Sequence, residues 1–395
     1  MPERSPKTFS ILSGASFLMA VSAIGPGFLT QTTTFTVQLG ASLAFVILAS
    51  TLIDIGAQMN TWLVLGVSRK RGHEVASIVV PGLGWLVVGV IVLGSFVFNI
   101  GNLAGCALGL EVLFGLPAMA GASLSALVGL ILFILPQVQK GVDWFSKILG
   151  AGMILLTLVI VLQTAPPVGE AARQAVAPDK IDLTALVTLI GGTIGGYIMF
   201  SGAHRLLDGG LGGPELAPQI AKAAATGILI AGLMRTLLFL AVLGVVATGH
   251  KLAGERIVFD AFQFGAGALG MTIAGLVFWA AAITSVVGCT YTSITFLAAK
   301  ATPRVQSRWH VGFLVLSLVA TLGVMYTGWK PTPVLIAAGT INGVLLPIFF
   351  GVILVAGRQR QVLGDYRLPW WIQAAGWIAW LGTVLIAYHE VVKWW

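Results

Sequence analysis

Two stretches of this chain join residues that break a helix to residues that can bind. Near the N terminus, Gly25-Pro26-Gly27-Phe28 interrupts an apolar run, and Thr30, Gln31, Thr32, Thr33 and Thr34 follow at once. Pro26 removes a backbone donor and its glycines lower the cost of unwinding, so a helix opens there. Opening exposes carbonyls and a half-helix N terminus, and in apolar surroundings a bound ion or polar ligand supplies their partners. The hydroxyls and the Gln31 amide add donors and acceptors, although threonine hydroxyls also bond back to the preceding turn. The second stretch, LVTLIGGTIGGYIMFSGAH, holds Gly191-Gly192 and Gly195-Gly196, then Met199 and Ser201. Its glycines read either as a second break, offering backbone contacts, or as positions where helices pack closely.

Ionisable groups in apolar runs are costly, about 2.5–3.5 kcal/mol each at a helix centre on insertion scales, so each needs a reason. Asp54, with Gln58 one turn on and Asn60 beside it, reads as a coupling group for protons or ions, or as a hydrogen-bond hub. Arg235, in GLMRTLLFL, neutralises a buried carboxylate such as Asp54, attracts an anionic substrate, or snorkels to a headgroup. His204 and Asp208 stand at i, i+4, the spacing of a proton relay on one helical face, or of solvated residues if the helix ends at Ala203. Cys106 and Cys289 sit in apolar runs without metal-ligand spacing and read as core residues.

The elements that position these groups follow from composition. Of 395 residues, 57% are apolar and 9% charged, where a soluble domain has about 25% charged. Mean hydropathy is +0.97. An all-α polytopic membrane protein is expected, with apolar runs near 11–37, 41–66, 83–110, 118–136, 145–165, 184–203, 222–248, 266–298, 309–327, 332–356 and 372–392. Residues 1–165 and 184–356 form two five-span halves joined by an outside hinge loop at 166–183, and 357–395 add one helix. Both halves then begin with a broken helix, the pattern of an inverted-repeat transporter with its substrate at mid-membrane. With the N terminus cytoplasmic, inside segments carry fifteen Lys and Arg residues, including Arg4, Lys300, Arg304 and Arg308, against six outside. That asymmetry places the N terminus in the cytoplasm and the C terminus outside. It also accounts for the net charge of +8 without a nucleic-acid partner. Trp370-Trp371, Trp377 with Trp380, and Trp394-Trp395 suit an interfacial belt. The apolar run after MPERSPK lacks an Ala-x-Ala cleavage site, so the first helix is expected to stay. No nucleophile, base and orienting residue fall together and no phosphate loop follows a strand. Neither an enzyme, a cofactor nor an obligate partner beyond lipid is expected, and a sensor or scaffold would need an output domain or large loop.

Spans 1, 3 and 6 and the segment WAAAITSVVGCTYTSITF resemble the NRAMP family of proton-coupled divalent-metal transporters, over nearly the whole chain in span order and spacing. The resemblance implies the LeuT-type fold of two inverted five-helix repeats. Its ligand motifs are changed. Where the family has Asp-Pro-Gly-Asn, with Asp and Asn as metal ligands, this chain has Gly25-Pro26-Gly27-Phe28. Where it has Met-Pro-His, this chain has Met199-Phe200-Ser201, with His204 a substitute only if the register shifts. The Asp-x-x-Glu pair of span 3, a proton passage in the family, is here Asn99-Ile100-Gly101-Asn102, followed by LAGCALGLEVLFGLP. A divalent cation loses most of its compensation for dehydration when no carboxylate faces it.

A secondary transporter for a small polar metabolite is therefore expected. Proteins similar to this branch include some encoded beside 5-oxoprolinase genes, which makes 5-oxoproline a candidate carboxylate. Gly25, Gly27, Thr30, Gln31 and the backbone at Gly192, Gly195 and Gly196 would bind it, with Phe28, Met199 and Ser201 nearby. Coupling to H⁺ or Na⁺ would use Asp54, His204, Arg235, Asn99 and Asn102. The alternative is a divalent cation such as Mg²⁺ or Mn²⁺, partly hydrated, held by Met199, Gln31 and backbone oxygens.

Overall fold

The computed structural model describes residues 6–134, 136–298, 301–393 and Trp395; Arg4, Lys300 and Trp394 lie outside them. The chain begins with α1 (Pro6–Ala23), which stops two residues short of Pro26. Gly25 is extended (φ −103°, ψ −174°), as steric contact with a following proline demands. Helix α2 (Pro26–Leu39) restarts on the proline itself, whose missing N–H and fixed φ suit a first helical position. A 3-10 turn then leads into α3 (Leu43–Ser68), followed by α4 (Gly72–Val79), α5 (Leu83–Phe114), α6 (Ala118–Ile134), α7 (Pro136–Thr164) and α8 (Val168–Val176).

The second half opens with α9 (Leu183–Ile194), started by the Asp182 side chain accepting from the Ala185 N–H at 2.8 Å. The helix breaks at Gly195–Tyr197, where Gly196 takes a left-handed φ of +52°, and resumes as α10 (Ile198–Asp208). Then come α11 (Ala217–Ala247), α12 (Ile257–Leu297), α13 (Pro303–Tyr326), α14 (Pro331–Ala356), α15 (Arg360–Leu363) and α16 (Trp370–Lys393). Strands are absent among the described residues. By length and apolarity, eight helical segments of the described residues can cross a membrane, and nine with the bent pair α7–α8. Taking α1–α2 and α9–α10 each as one broken span, and including the shorter α6, the chain runs through the eleven spans expected from its apolar runs.

One detail decides between readings the sequence left open, and two differ from its expectation. Gly191 and Gly192 stay helical: a Cβ on Gly191 would collide with Gly339 O and the Gly343 backbone, so Gly191 lets α9 lie against α14, while Gly192 leaves room for the Gln31 side chain. The segment read as a hinge loop contains α8, bent 107° from the end of α7 and tied by a Ser42–Gln174 hydrogen bond to the turn before α3. Span 8, read from residue 266, in fact begins at Ile257 and kinks at Ala266–Gly267.

The bundle packs α5 against α12 and α14, and α3 against α11. The additional helix α16 is part of this packing, because Asn60 Nδ2 donates to Ile372 O (2.8 Å) and Trp380 Nε1 to Pro347 O (2.9 Å). Both cysteines are buried thiols, and Cys289 Sγ donates to Ser95 O at 2.9 Å.

Candidate functional site

The two breaks face one another across a small cavity with room for about one water, ≈ 20 Å³. Its wall takes Ser22, Ala23, Gly25, Gly27, Phe28 and Gln31 from α1–α2, and Gly192, Tyr197 and Ile198 from α9–α10. Phe98, Gly101 and Asn102 of α5, Ser285 of α12, and Leu335 and Ala338 of α14 close the remainder. Because α2 starts at Pro26, its first free backbone donors are the N–H groups of Gly27 and Phe28, while the Leu29 N–H is bonded back to Gly25 O. These donors lie at the positive end of the half-helix dipole.

Gln31 is clamped at the centre. Its Nε2 donates to Leu335 O at 3.2 Å, and side chains at Gly192 or Gly339 would collide with its amide. The clamp leaves Gln31 Oε1 without a hydrogen-bond partner. The Arg235 guanidinium lies against the Phe28 ring, 4.2 Å from its centroid, and is not part of the cavity wall. Arg235 Nη1 donates to Thr193 Oγ1 at 2.8 Å and to Leu189 O at 3.4 Å, both on α9. Its Nε and Nη2 are unpartnered, as is Asp54 Oδ1. Asp54 is buried in the neighbourhood of Arg235 and Thr193, yet among the described residues no salt bridge joins it to Arg235.

Comparison with known proteins identifies the chain's relatives. A family model described as natural resistance-associated macrophage protein-like matches residues 16–393. The chain belongs to the Nramp family. It is 46% identical to the uncharacterized membrane protein YcsG of Bacillus subtilis, over 93% of this chain and 91% of that one. It is 22% identical to the divalent metal cation transporter MntH of Mycobacterium tuberculosis, over 98% and 92%. The structure of a mutant of the Eremococcus coleocola manganese transporter superposes with a TM-score of 0.76 at 15% identity, covering all of this chain and 89% of that one. The protein is thus a multi-pass membrane transporter of LeuT-type fold.

Several residues singled out in this Nramp chain lie off the cavity. Thr30 is about 100° around α2 from the lining face, at 3.6 residues per turn, and its hydroxyl has no partner. Thr32 and Thr36 do bond back, to Phe28 O and Thr32 O. Gly195 and Gly196 make the break instead of the wall, and pack on Asn342 of α14. Met199 is buried in the main apolar core among α3, α9 and α14, so its thioether is no ligand in the cavity. Ser201 Oγ donates to Ile198 O at 3.0 Å.

The coupling candidates also separate. Only Asn102 lines the cavity. Asn99, three residues earlier, points elsewhere, donating to Thr290 Oγ1 (2.9 Å) and Ser317 Oγ (3.3 Å). Arg235 does not snorkel: it is 2% exposed. His204 is no loop residue, since α10 continues to Asp208. It is buried between Phe200 and Phe296, at centroid distances of 5.9 and 5.0 Å, and neither ring nitrogen has a partner. The expected pairing with Asp208 is absent because Asp208 accepts from Arg71 at 2.8 Å.

Sequence reasoning missed Tyr197, Ser285, Phe98, Leu335 and Ala338. Tyr197 had a usable signal, as the one aromatic set directly after Gly195-Gly196. Ser285 had none of its own: it matters because its Oγ would stand 3.2 Å from a Cβ on Gly25, a contact between helices distant in sequence. Among the described residues, no group of three or more His, Cys, Asp or Glu could hold a metal ion.

Proposed function

We propose that this Nramp-family transporter carries a small organic anion, a carboxylate in the size class of 5-oxoproline, in place of a bare divalent cation. The chemistry of the cavity wall carries this reading. Mn²⁺ in hydrocarbon needs anionic oxygens to offset its dehydration, and the wall holds amides, hydroxyls and a half-helix N terminus without a carboxylate. A carboxylate needs the reverse, and Gly27, Phe28, Asn102, Tyr197 and Ser285 supply N–H and O–H donors at the positive pole of α2. Arg235 adds a full charge against the Phe28 ring. At ~8 Å and an effective dielectric of about 20, that charge favours an anion by about 2 kcal/mol and disfavours a monovalent cation equally. Because the cavity holds about one water, cargo is admitted only when the half-helices rock apart.

A partly hydrated Mg²⁺ is the second reading, favoured by the divalent-metal assignment of the MntH relatives. It would rest on Gln31 Oε1 and backbone oxygens without Met199. In either case we assign coupling to the Asp54–Thr193–Arg235 cluster, whose unpartnered atoms accommodate a proton or an ion, with the N terminus cytoplasmic and the C terminus outside.

Uptake into proteoliposomes under an inward proton gradient tests the proposal, comparing labelled 5-oxoproline and a small carboxylate panel with Mn²⁺ and Mg²⁺. Carboxylate flux without metal flux is expected, falling about 30-fold in Arg235→Gln, the factor equivalent to 2 kcal/mol. Saturable metal flux with no carboxylate flux would overturn it.

A further inference from the structure

A second cavity, unconnected with the cargo site, lies on the outer face of the bundle between α5 and α13, with the end of α12 as its floor. It is a groove of about 570 Å³. Along α13 its wall descends through Arg308, Gly312 and Leu316, one residue every four, so the stripe runs about 12 Å parallel to the helix axis. Along α5 the facing wall is Gly89, Leu93 and Phe96, again on one helical face. The groove thus has a guanidinium at one end and apolar side chains over the remaining length.

Two features are not explained by packing of the protein. Gly89 and Gly312 lie inside helices, where glycine is unfavourable, and a Cβ on either would meet no atom within 4 Å. Their missing side chains leave the groove open. The rim charge is also uncompensated. Arg304 lies one turn from Arg308, the sequence has no Asp or Glu from 261 to 364, and neither arginine joins an ion pair among the described residues. Trp309, half exposed beside Arg308, marks this level as the boundary between headgroups and hydrocarbon.

We propose that this groove is a binding site for an anionic phospholipid, one acyl chain lying between α5 and α13 and the phosphate held by Arg308 with Arg304 beside it. Shape selects a single chain, and the two unpaired guanidiniums select a net negative headgroup over a zwitterionic one. A second protein helix is the poorer occupant, because it would meet a charged rim that no ion pair among the described residues neutralises.

The test uses the full-length purified protein in detergent, titrated with phosphatidylglycerol or phosphatidylcholine and read by native mass spectrometry and thermal shift. The wild type should retain one phosphatidylglycerol and be stabilised by it, with phosphatidylcholine binding at least tenfold more weakly. Arg308→Gln should abolish the preference between headgroups, and Gly312→Leu, which fills the groove, should lose the retained lipid. Lys251→Gln, an exposed charge elsewhere, should change neither. Equal binding of the two lipids by the wild type, or an undiminished preference in Arg308→Gln, would overturn the site. Loss in Arg308→Gln with full retention in Gly312→Leu would overturn the groove and leave a surface charge contact. If Gly312→Leu does not fold, Arg308→Gln alone decides, since its side chain is exposed.

Discussion

In α1–α2 the chain bends where Pro26 forbids the helix to continue, whereas in α9–α10 it bends without a proline, at Gly196. The first break is written into covalent structure: a missing N–H and a ring that forces Gly25 to be extended. The second depends on a neighbour. Asn342 of α14 donates to Gly94 O (3.0 Å) and Ala338 O (2.9 Å), and packs on the backbone of Gly195 and Gly196. Two half-helices of similar geometry thus come from different physics. The first tolerates changes around it, and the second depends on the α5–α14 contact being intact.

Three perturbations test that contrast, in falling order of effect. Gly196→Val puts a β-branched residue at φ +52° with its Cβ 2.6 Å from Asn342 Oδ1. The backbone strain alone costs about 1–3 kcal/mol, so monodisperse protein should be lost on size-exclusion chromatography; a normal yield would show that the second break is as self-sufficient as the first. Pro26→Ala should leave the folded protein intact, because Gly25 and Gly27 still flank the site, and yet lower uptake at least tenfold as α1 and α2 partly merge. Unchanged uptake would mean that tertiary contacts hold this break too.

The smallest effect belongs to the connector between the halves. Hydrogen bonds, first from Arg173 and then from Gln174, pull Glu170 down to about 2. A folded pKa below the unfolded value of about 4.3 gives a contribution that is complete above the unfolded value and lost as pH falls through about 2. Between pH 5 and 8 it is constant. Glu170→Gln should therefore leave the pH profile of uptake superimposable on wild type over that window, and a shifted profile would count against the coupling cluster proposed above and point to the connector.

Residues whose effect is local are legible in the sequence. Pro26 announces its break, and the apolar runs announce the spans, because a helix crossing hydrocarbon must satisfy its own backbone and present apolar side chains. The glycine pairs of span 6 are half legible: glycine signals either a left-handed residue or a close approach, and only neighbours at Gly339, Gly343 and Asn342 separate Gly191 from Gly196 in role. Met199 and Ser201 were expected at the site by register. They miss it because α10 restarts after Tyr197 and turns Met199 into the core.

Composition and chain-adjacent residues suffice for the membrane class, the eleven spans and the break at Pro26, and the resemblance to the Nramp family adds that its span 1 and span 3 carboxylates are absent here. Each of these is a local property, carried by a run of apolar residues or by a few neighbours along the backbone. Which side chains meet was left to the assembled bundle. Packing sets Arg235 against Phe28, Gln31 between Gly192 and Gly339, Ser285 against Gly25, and Asp208 on Arg71 instead of His204. Most of those contacts join residues far apart in sequence, and their partners are chosen by how the helices rotate and pack, which no spacing along one helix specifies.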